Sequence, residues 1–222
     1  MFSSLAMSPS PQIVIGVDVG RVKKGFHAVA LRDGTFFDKL AACNTAAIVE
    51  WCRRLGASTV GIDAPCKWSL TRKQRPCERE LARMGIRAFA TPCFKLGQLN
   101  PFYGWMLNGA ELFRAFAKHY RLFDGQGSTS RPLCFETFPH AAACALTGIR
   151  LSAKNKRVER RRLLRQAGVT IDALTTIDEV DAALCALTAR HFLAGTFTAY
   201  GNEAGVTLLF PPFNRWQLES PE

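Results

Sequence analysis

The sequence predicts an α/β fold in which a three-strand antiparallel meander joins parallel strands to form a mixed sheet flanked by helices. Three β-prone runs, at residues 13–19, 26–31 and 35–40, follow one another without an intervening helix. Arg32-Asp33-Gly34, between the last two runs, is a hairpin signal. From residue 44 onward helical patterns alternate with short apolar strands, as is typical of βα units whose strands are parallel.

The length and composition predict a single domain. The 222 residues are 48% hydrophobic, which is enough for one substantial core. Residues 1–11 are rich in Ser and Pro and are expected to form a flexible tail, with residues 12–222 as the domain. No apolar run reaches the roughly 20 residues needed to cross a bilayer, and the N terminus lacks the features of a signal peptide, so we expect a cytoplasmic protein without a membrane partner.

The remaining elements are predicted from signals at their ends. Asn44 is expected to cap a helix that ends at Gly56. The next segments, in chain order, are a strand at 59–62, helices at 78–84 and 105–119, a last clear core strand at 133–135, and helices at 140–146 and 158–167. Thr176 and Glu179 fit a capping box at the start of the final helix, which ends at Gly195.

Four carboxylates occupy positions where the surrounding sequence predicts burial. Asp18, Asp63 and Glu136 end apolar strands, and the carboxyl ends of such strands meet at one edge of an open sheet. Asp181 lies on the core-facing side of the final helix. Two carboxylates about 4 Å apart repel by roughly 4 kcal/mol at an effective dielectric constant of 20. A divalent cation would offset this repulsion, so the cluster predicts a Mg²⁺ or Mn²⁺ site with oxygen ligands.

Such a site favours chemistry on phosphate. Two cations about 3.5–4 Å apart stabilise both the attacking and the leaving oxygen in phosphodiester hydrolysis, so no nucleophilic side chain is required. The chain carries 29 Lys and Arg against 18 Asp and Glu, and this net charge of +11 favours a polyanionic partner. We therefore expect a metal-dependent nuclease that acts on DNA or RNA.

Two groups of basic residues each allow two interpretations. Residues 154–165 carry seven Lys and Arg, and they form either a polyanion-binding surface or a solvated helix face. Lys154 either stabilises charge in the transition state, as a catalytic residue, or is only solvated. Arg75, Glu78 and Arg79 either hold phosphate at the site or form an exposed charge network along one helix.

Aromatic and cysteine residues are less specific signals. Five aromatic residues lie among basic and Gly/Pro-rich segments: Trp68, Phe94, Phe102, Tyr103 and Trp105. They would suit stacking on unpaired bases, but core packing is the interpretation we favour for most of them. The eight cysteines include no C-x-x-C pair, which argues against a zinc knuckle and indicates reduced thiols.

Four motifs contain the acidic residues: Gly16-Val17-Asp18-Val19-Gly20, Gly61-Ile62-Asp63-Ala64-Pro65, Glu136-Thr137-Phe138-Pro139-His140 and Asp178-x-x-Asp181-Ala182-Ala183. In combination they resemble an uncharacterised family of predicted nucleases with an RNase H-like fold. The resemblance runs from about residue 13 to 211. Through that family's similarity to Holliday-junction resolvases, it implies that Asp18, Asp63, Asp178 and Asp181 are metal ligands. It also implies that Glu136 lies near them and acts with Asp18, Asp63 and Asp181 in catalysis.

Two other classes of function remain open. The first is a non-catalytic nucleic-acid-binding or scaffold protein in which the acidic cluster is vestigial. The second is an actin-like phosphotransferase, because Asp18-Val19-Gly20 also resembles the first phosphate loop of that fold. That fold normally duplicates the domain, and 222 residues leave no room for a second copy. Resolution of a symmetric branched substrate would require a homodimer.

Overall fold

The computed structural model describes residues 12–71, 73–123, 125, 132–152, 155–202 and 205–209. Its strands are β1 (Ile13–Val19), β2 (Phe26–Arg32), β3 (Thr35–Ala42), β4 (Thr59–Asp63), β5 (Arg121–Leu122), β6 (Leu133–Thr137), β7 (Thr198–Asn202) and β8 (Gly205–Leu209). Its helices are α1 (Thr45–Arg54), α2 (Pro76–Arg83), α3 (Phe94–Leu99), α4 (Gly104–Phe116), α5 (Pro139–Thr147), α6 (Lys156–Gln166) and α7 (Ile177–Leu193), with a short 3₁₀ turn at Pro101–Tyr103 before α4.

The described strands form one mixed sheet in the order β3-β2-β1-β4-β6-β8-β7, with β5 beside β6. Strands β1, β2 and β3 are an antiparallel meander. Strand β4 runs parallel to β1, β6 parallel to β4, and β8 parallel to β6. The predicted RNase H-like arrangement, an antiparallel meander joined to parallel strands and flanked by helices, is therefore confirmed.

Two helix starts that the sequence predicts are confirmed by their capping hydrogen bonds. The Asn44 side chain accepts a hydrogen bond from the backbone N–H of Ala47 at 2.8 Å. At the start of α7, the Thr176 hydroxyl accepts from the Glu179 N–H at 3.2 Å, and the Glu179 carboxylate accepts from the Thr176 N–H at 3.0 Å. The predicted strand at 133–135 is confirmed, but β6 continues to Thr137, and it is not the last strand of the sheet because β8 pairs with its end.

Two glycines allow α7 to lie directly on the sheet. A Cβ atom on Gly16 would stand 2.0 Å from the carbonyl oxygen of Ala182, and one on Gly61 would stand 2.7 Å from that of Cys185. The backbone of helix α7 therefore lies directly on β1 and β4 at these two positions, and the helix also packs against β2. This close approach brings the acidic first turns of α7 over the carboxyl ends of β1 and β4.

The opposite face of the sheet packs against α1 and α4. Its buried side chains include Ile15, Val17 and Ile62 from the sheet and Leu112 and Phe116 from α4. Among the helices in the described ranges, none is long and apolar enough to cross a membrane. The predicted tail at 1–11 lies outside the described residues, and a single domain over all of 12–222 stays a prediction.

Candidate metal centre

Asp18 and Asp63 lie side by side at the ends of β1 and β4. They are register partners in the parallel pair, as are Gly16 and Gly61 two residues earlier, so all four point to the same face of the sheet. That face is the one covered by α7, because Gly16 and Gly61 contact the helix backbone. The predicted adjacency of the two strand ends is thus confirmed.

Helix α7 brings two further acids to this edge, and each is paired with a cation. Asp181 is only 7% exposed, and it forms an ion pair with Arg160 of α6, which is 6% exposed. Asp178, one turn nearer the N terminus, accepts a hydrogen bond from the Lys24 ammonium at 2.7 Å. Lys24 belongs to the loop that follows β1, so that loop and α7 meet at the site.

His27 joins the cluster, although the sequence pattern did not identify it. It is the register partner of Asp18 in the β1–β2 pair, so the two side chains share a face. Asp18, His27 and Asp178 each offer one ligand atom, and these three atoms lie within 4.8 Å of one another. His27 Nδ1 is buried without a hydrogen-bond partner in the described part of the chain, 3.9 Å from an Asp178 oxygen.

The buried carboxylates hold their protons more tightly than exposed ones. Burial, together with the nearby Asp181 and Asp178, raises the pKa of Asp18 to about 7. Burial and the adjacent Asp18 raise the pKa of Asp63 well above its ordinary value. Burial also raises the pKa of Asp181, even though Arg160 opposes the change. The four aspartates thus outnumber the two cations paired with them, and the oxygen and imidazole donors of the cluster fit a divalent cation.

Glu136 lies on the other face of the sheet. It is the register partner of Ile62, whose side chain points away from that of the next residue, Asp63. The two oxygens of Glu136 accept hydrogen bonds from Arg75 at 2.9 and 2.6 Å, and one of them also accepts from the Cys66 N–H at 2.9 Å. The side chain of Glu136 is therefore held by Arg75 and not among the four aspartates, although Glu136 and Asp63 line one cavity.

Arg75 is the centre of a buried ion-pair network. Its Nε donates to Glu78 at 2.8 Å while its two terminal nitrogens bind Glu136, and Arg75 and Glu78 are each only 3% exposed. The exposed helical charge network predicted for these residues is thus wrong, because the helix faces inward at both positions. Arg79, in contrast, is exposed and donates to the Gln74 carbonyl at 2.8 Å.

The basic segment is largely engaged with the protein itself. Besides Arg160, Arg157 donates to the Thr175 carbonyl at 2.9 Å, and Arg162 pairs with Glu159 at 2.8 Å within α6. Arg160 and Arg157 join α6 to the start of α7, whereas Arg162 is exposed on α6, as expected for a solvated helix face. Lys154 lies outside the described residues, and its catalytic role stays a prediction.

Comparison with known proteins finds a matching family and several similar solved structures, two of which are described here. Residues 16–204 match the family described as "Protein of unknown function (DUF429)". The structure of Thermus thermophilus RuvC is 16% identical, with 86% of this chain and 99% of that chain covered and a TM-score of 0.45. The T. thermophilus RuvC complex with a Holliday junction substrate is 17% identical, with the same coverage and a TM-score of 0.47. No curated protein is significantly similar.

Proposed function

The chain belongs to the DUF429 family of proteins of unknown function, and from its own residues we propose that it is a divalent-metal-dependent nuclease that hydrolyses phosphodiester bonds of DNA or RNA. The observation that carries this proposal is the meeting of Asp18, Asp63, Asp178 and Asp181 at one edge of the sheet, with His27 among them. Carboxylates this close without enough positive charge favour a bound cation.

Each acidic residue has a distinct role at the proposed site. Asp18, His27 and Asp178 would hold one ion, and Asp63 and Asp181 would complete a second site that shares Asp18. Bound ions of this kind supply Lewis acidity to phosphate oxygens and lower the pKa of a bound water. Because imidazole is a softer donor than carboxylate, His27 would favour Mn²⁺ over Mg²⁺, which prefers oxygen ligands.

The carboxylates that burial keeps partly protonated prepare the site for a cation. Asp18, with a pKa of about 7, would release its proton when the ion binds. Lys24 holds Asp178 in place through its ammonium group, and its own pKa is raised by this hydrogen bond in spite of its partial burial. Side-chain exposure of 52% leaves Lys24 free to turn toward a phosphate once a cation occupies the site.

Calorimetric titration with Mn²⁺ and Mg²⁺ tests the site. We expect saturable Mn²⁺ binding by the wild-type chain, loss of that binding in Asp18→Asn, and unchanged binding in the control Asp172→Asn, whose side chain is exposed. The same samples are then incubated with labelled single- and double-stranded DNA and RNA. Cleavage by the wild type and the control, but not by Asp18→Asn, would support the proposal. Full cleavage by Asp18→Asn would contradict it.

One observation favours a second function, that of a non-catalytic nucleic-acid-binding protein. Lys24 and Arg160 already pair with Asp178 and Asp181, so half of the acidic cluster is neutralised inside the protein. An acidic cluster whose charge is balanced by cations of the same protein can have a purely structural role. Nucleic-acid binding that is unchanged by divalent ions, without cleavage under any of them, would support this second function.

A further inference from the structure

An unusual share of the exposed hydrophobic surface lies in one segment next to the candidate metal centre. Nine large hydrophobic side chains are exposed in the described residues, and six of them lie between residues 70 and 102. These six are Leu70, Phe89, Phe94, Leu96, Leu99 and Phe102. The core-packing role predicted for most of the aromatic residues is therefore wrong for Phe94 and Phe102, which are 49% and 42% exposed.

Four aromatic rings of this segment form a continuous group, here named the aromatic platform: Phe89, Phe102, Tyr103 and Trp105. Phe89 contacts Phe102 with ring centroids 5.4 Å apart and Trp105 with centroids 6.4 Å apart. Phe102 in turn contacts Tyr103 at 5.1 Å. All three contacts are edge-to-face, and Phe89 is 63% exposed, so ring surface stays open to solvent.

The chain segment that carries the platform has a positive net charge. Residues 64–105 carry eight Lys and Arg against two Glu. Both acids are engaged by the protein, because Glu78 is buried against Arg75 and Glu80 accepts a hydrogen bond from the Gly201 N–H at 3.1 Å. Five of the cations are exposed: Lys73, Arg79, Arg83, Arg87 and Lys95.

The platform is also continuous with the sheet edge that carries the acids. Phe89 and Trp105 line a narrow cavity of about 50 Å³ together with Asp63 and Glu136. Two residues after Phe89, Thr91 donates from its backbone N–H and its hydroxyl to Glu78, at 3.0 and 2.5 Å. The buried Glu78–Arg75–Glu136 network therefore attaches the platform firmly to β6.

We infer that the aromatic platform binds unpaired bases, so that the substrate class is single-stranded or locally unpaired nucleic acid. The inference rests on the proposed function where it assigns a role to the neighbouring acids. The binding itself is inferred from the exposed rings and cations. Bases stack on aromatic faces while the cations track the phosphates, and fully paired duplex offers no open base face.

Binding is measured by fluorescence anisotropy with a labelled 20-nucleotide single-stranded DNA of mixed sequence and with its duplex, both in EDTA so that cleavage plays no part. The test variant is Phe89→Ala/Phe102→Ala. The matched control is Leu70→Ala/Leu99→Ala, which removes two exposed aliphatic side chains from the same segment. Circular dichroism establishes that both variants are folded, which we expect because all four positions are exposed.

We expect the aromatic variant to bind the single strand at least about tenfold more weakly, with duplex affinity unchanged and the aliphatic control close to wild type. Equal losses for both variants, equal losses for single strand and duplex, or no loss would overturn the inference. So would binding to anionic phospholipid vesicles that depends on Phe89 and Phe102 without binding to the oligonucleotide. Selective loss of single-strand binding in a protein that cleaves nothing would support the platform while refuting the nuclease proposal.

Discussion

The substitution Asp18→Asn should stabilise the metal-free protein, because the native carboxylate is buried beside three other acids. Burial raises the pKa of Asp18 from 3.8 to about 7. Below pH 3.8 the carboxyl is protonated in both the folded and the unfolded chain, and it costs nothing. Between pH 3.8 and pH 7 only the unfolded chain releases the proton, so the free energy of unfolding falls by about 1.4 kcal/mol for each unit of rising pH.

Above pH 7 the loss of folding stability no longer changes with pH. The difference between the two pKa values gives an upper limit of about 4 kcal/mol for this loss. Asparagine does not ionise, so the variant avoids this cost. We expect Asp18→Asn to exceed the wild type in free energy of unfolding by about 2–4 kcal/mol at pH 8, with little difference near pH 4. Urea unfolding in EDTA at a series of pH values measures this difference, with Asp172→Asn as the control.

Divalent metal should offset most of this difference in stability. An ion at 100 times its dissociation constant stabilises the folded chain by about 2.7 kcal/mol, and we expect this gain for the wild type but not for Asp18→Asn. A variant that is less stable than the wild type at pH 8, or a stability difference that does not change with pH, would refute the reasoning. The carboxylate would then be stabilised by the fold itself, with no need for a cation.

Three further substitutions test other parts of the structure. Arg75→Met leaves two buried carboxylates without their cation and should cost about 3–5 kcal/mol in urea unfolding, whereas Arg79→Met at an exposed site should cost under about 0.5 kcal/mol. Gly16→Ala places a Cβ atom 2.0 Å from the α7 backbone and should lower the free energy of unfolding by at least about 3 kcal/mol, measured by thermal melting. The control Gly104→Ala has open space around it and should change stability by no more than about 1 kcal/mol. His27→Ala should weaken Mn²⁺ binding at least about tenfold in calorimetry and Mg²⁺ binding less; an equal effect on both ions would contradict the role of the imidazole.

The sequence by itself determined the parts of the fold that depend on neighbouring residues. The meander strands, the Asn44 cap and the capping box at Thr176 follow from periodicity and end signals over a few residues. The pairing of Asp18 with Asp63 was also predictable, since each acid ends an apolar strand and parallel strands end at one edge. The same periodicity identified the core-facing position of Asp181.

Only the tertiary structure decided which groups meet these acids. Glu136 resembles Asp63 in sequence, but the register of β6 turns it to the opposite face, where it binds Arg75 from 61 residues away. His27 entered the cluster through strand pairing, and Lys24 reaches Asp178 across 154 residues. Such contacts depend on strand register and on how closely a helix packs, because these set the positions of side chains that are distant along the chain. Local periodicity carries no information about either.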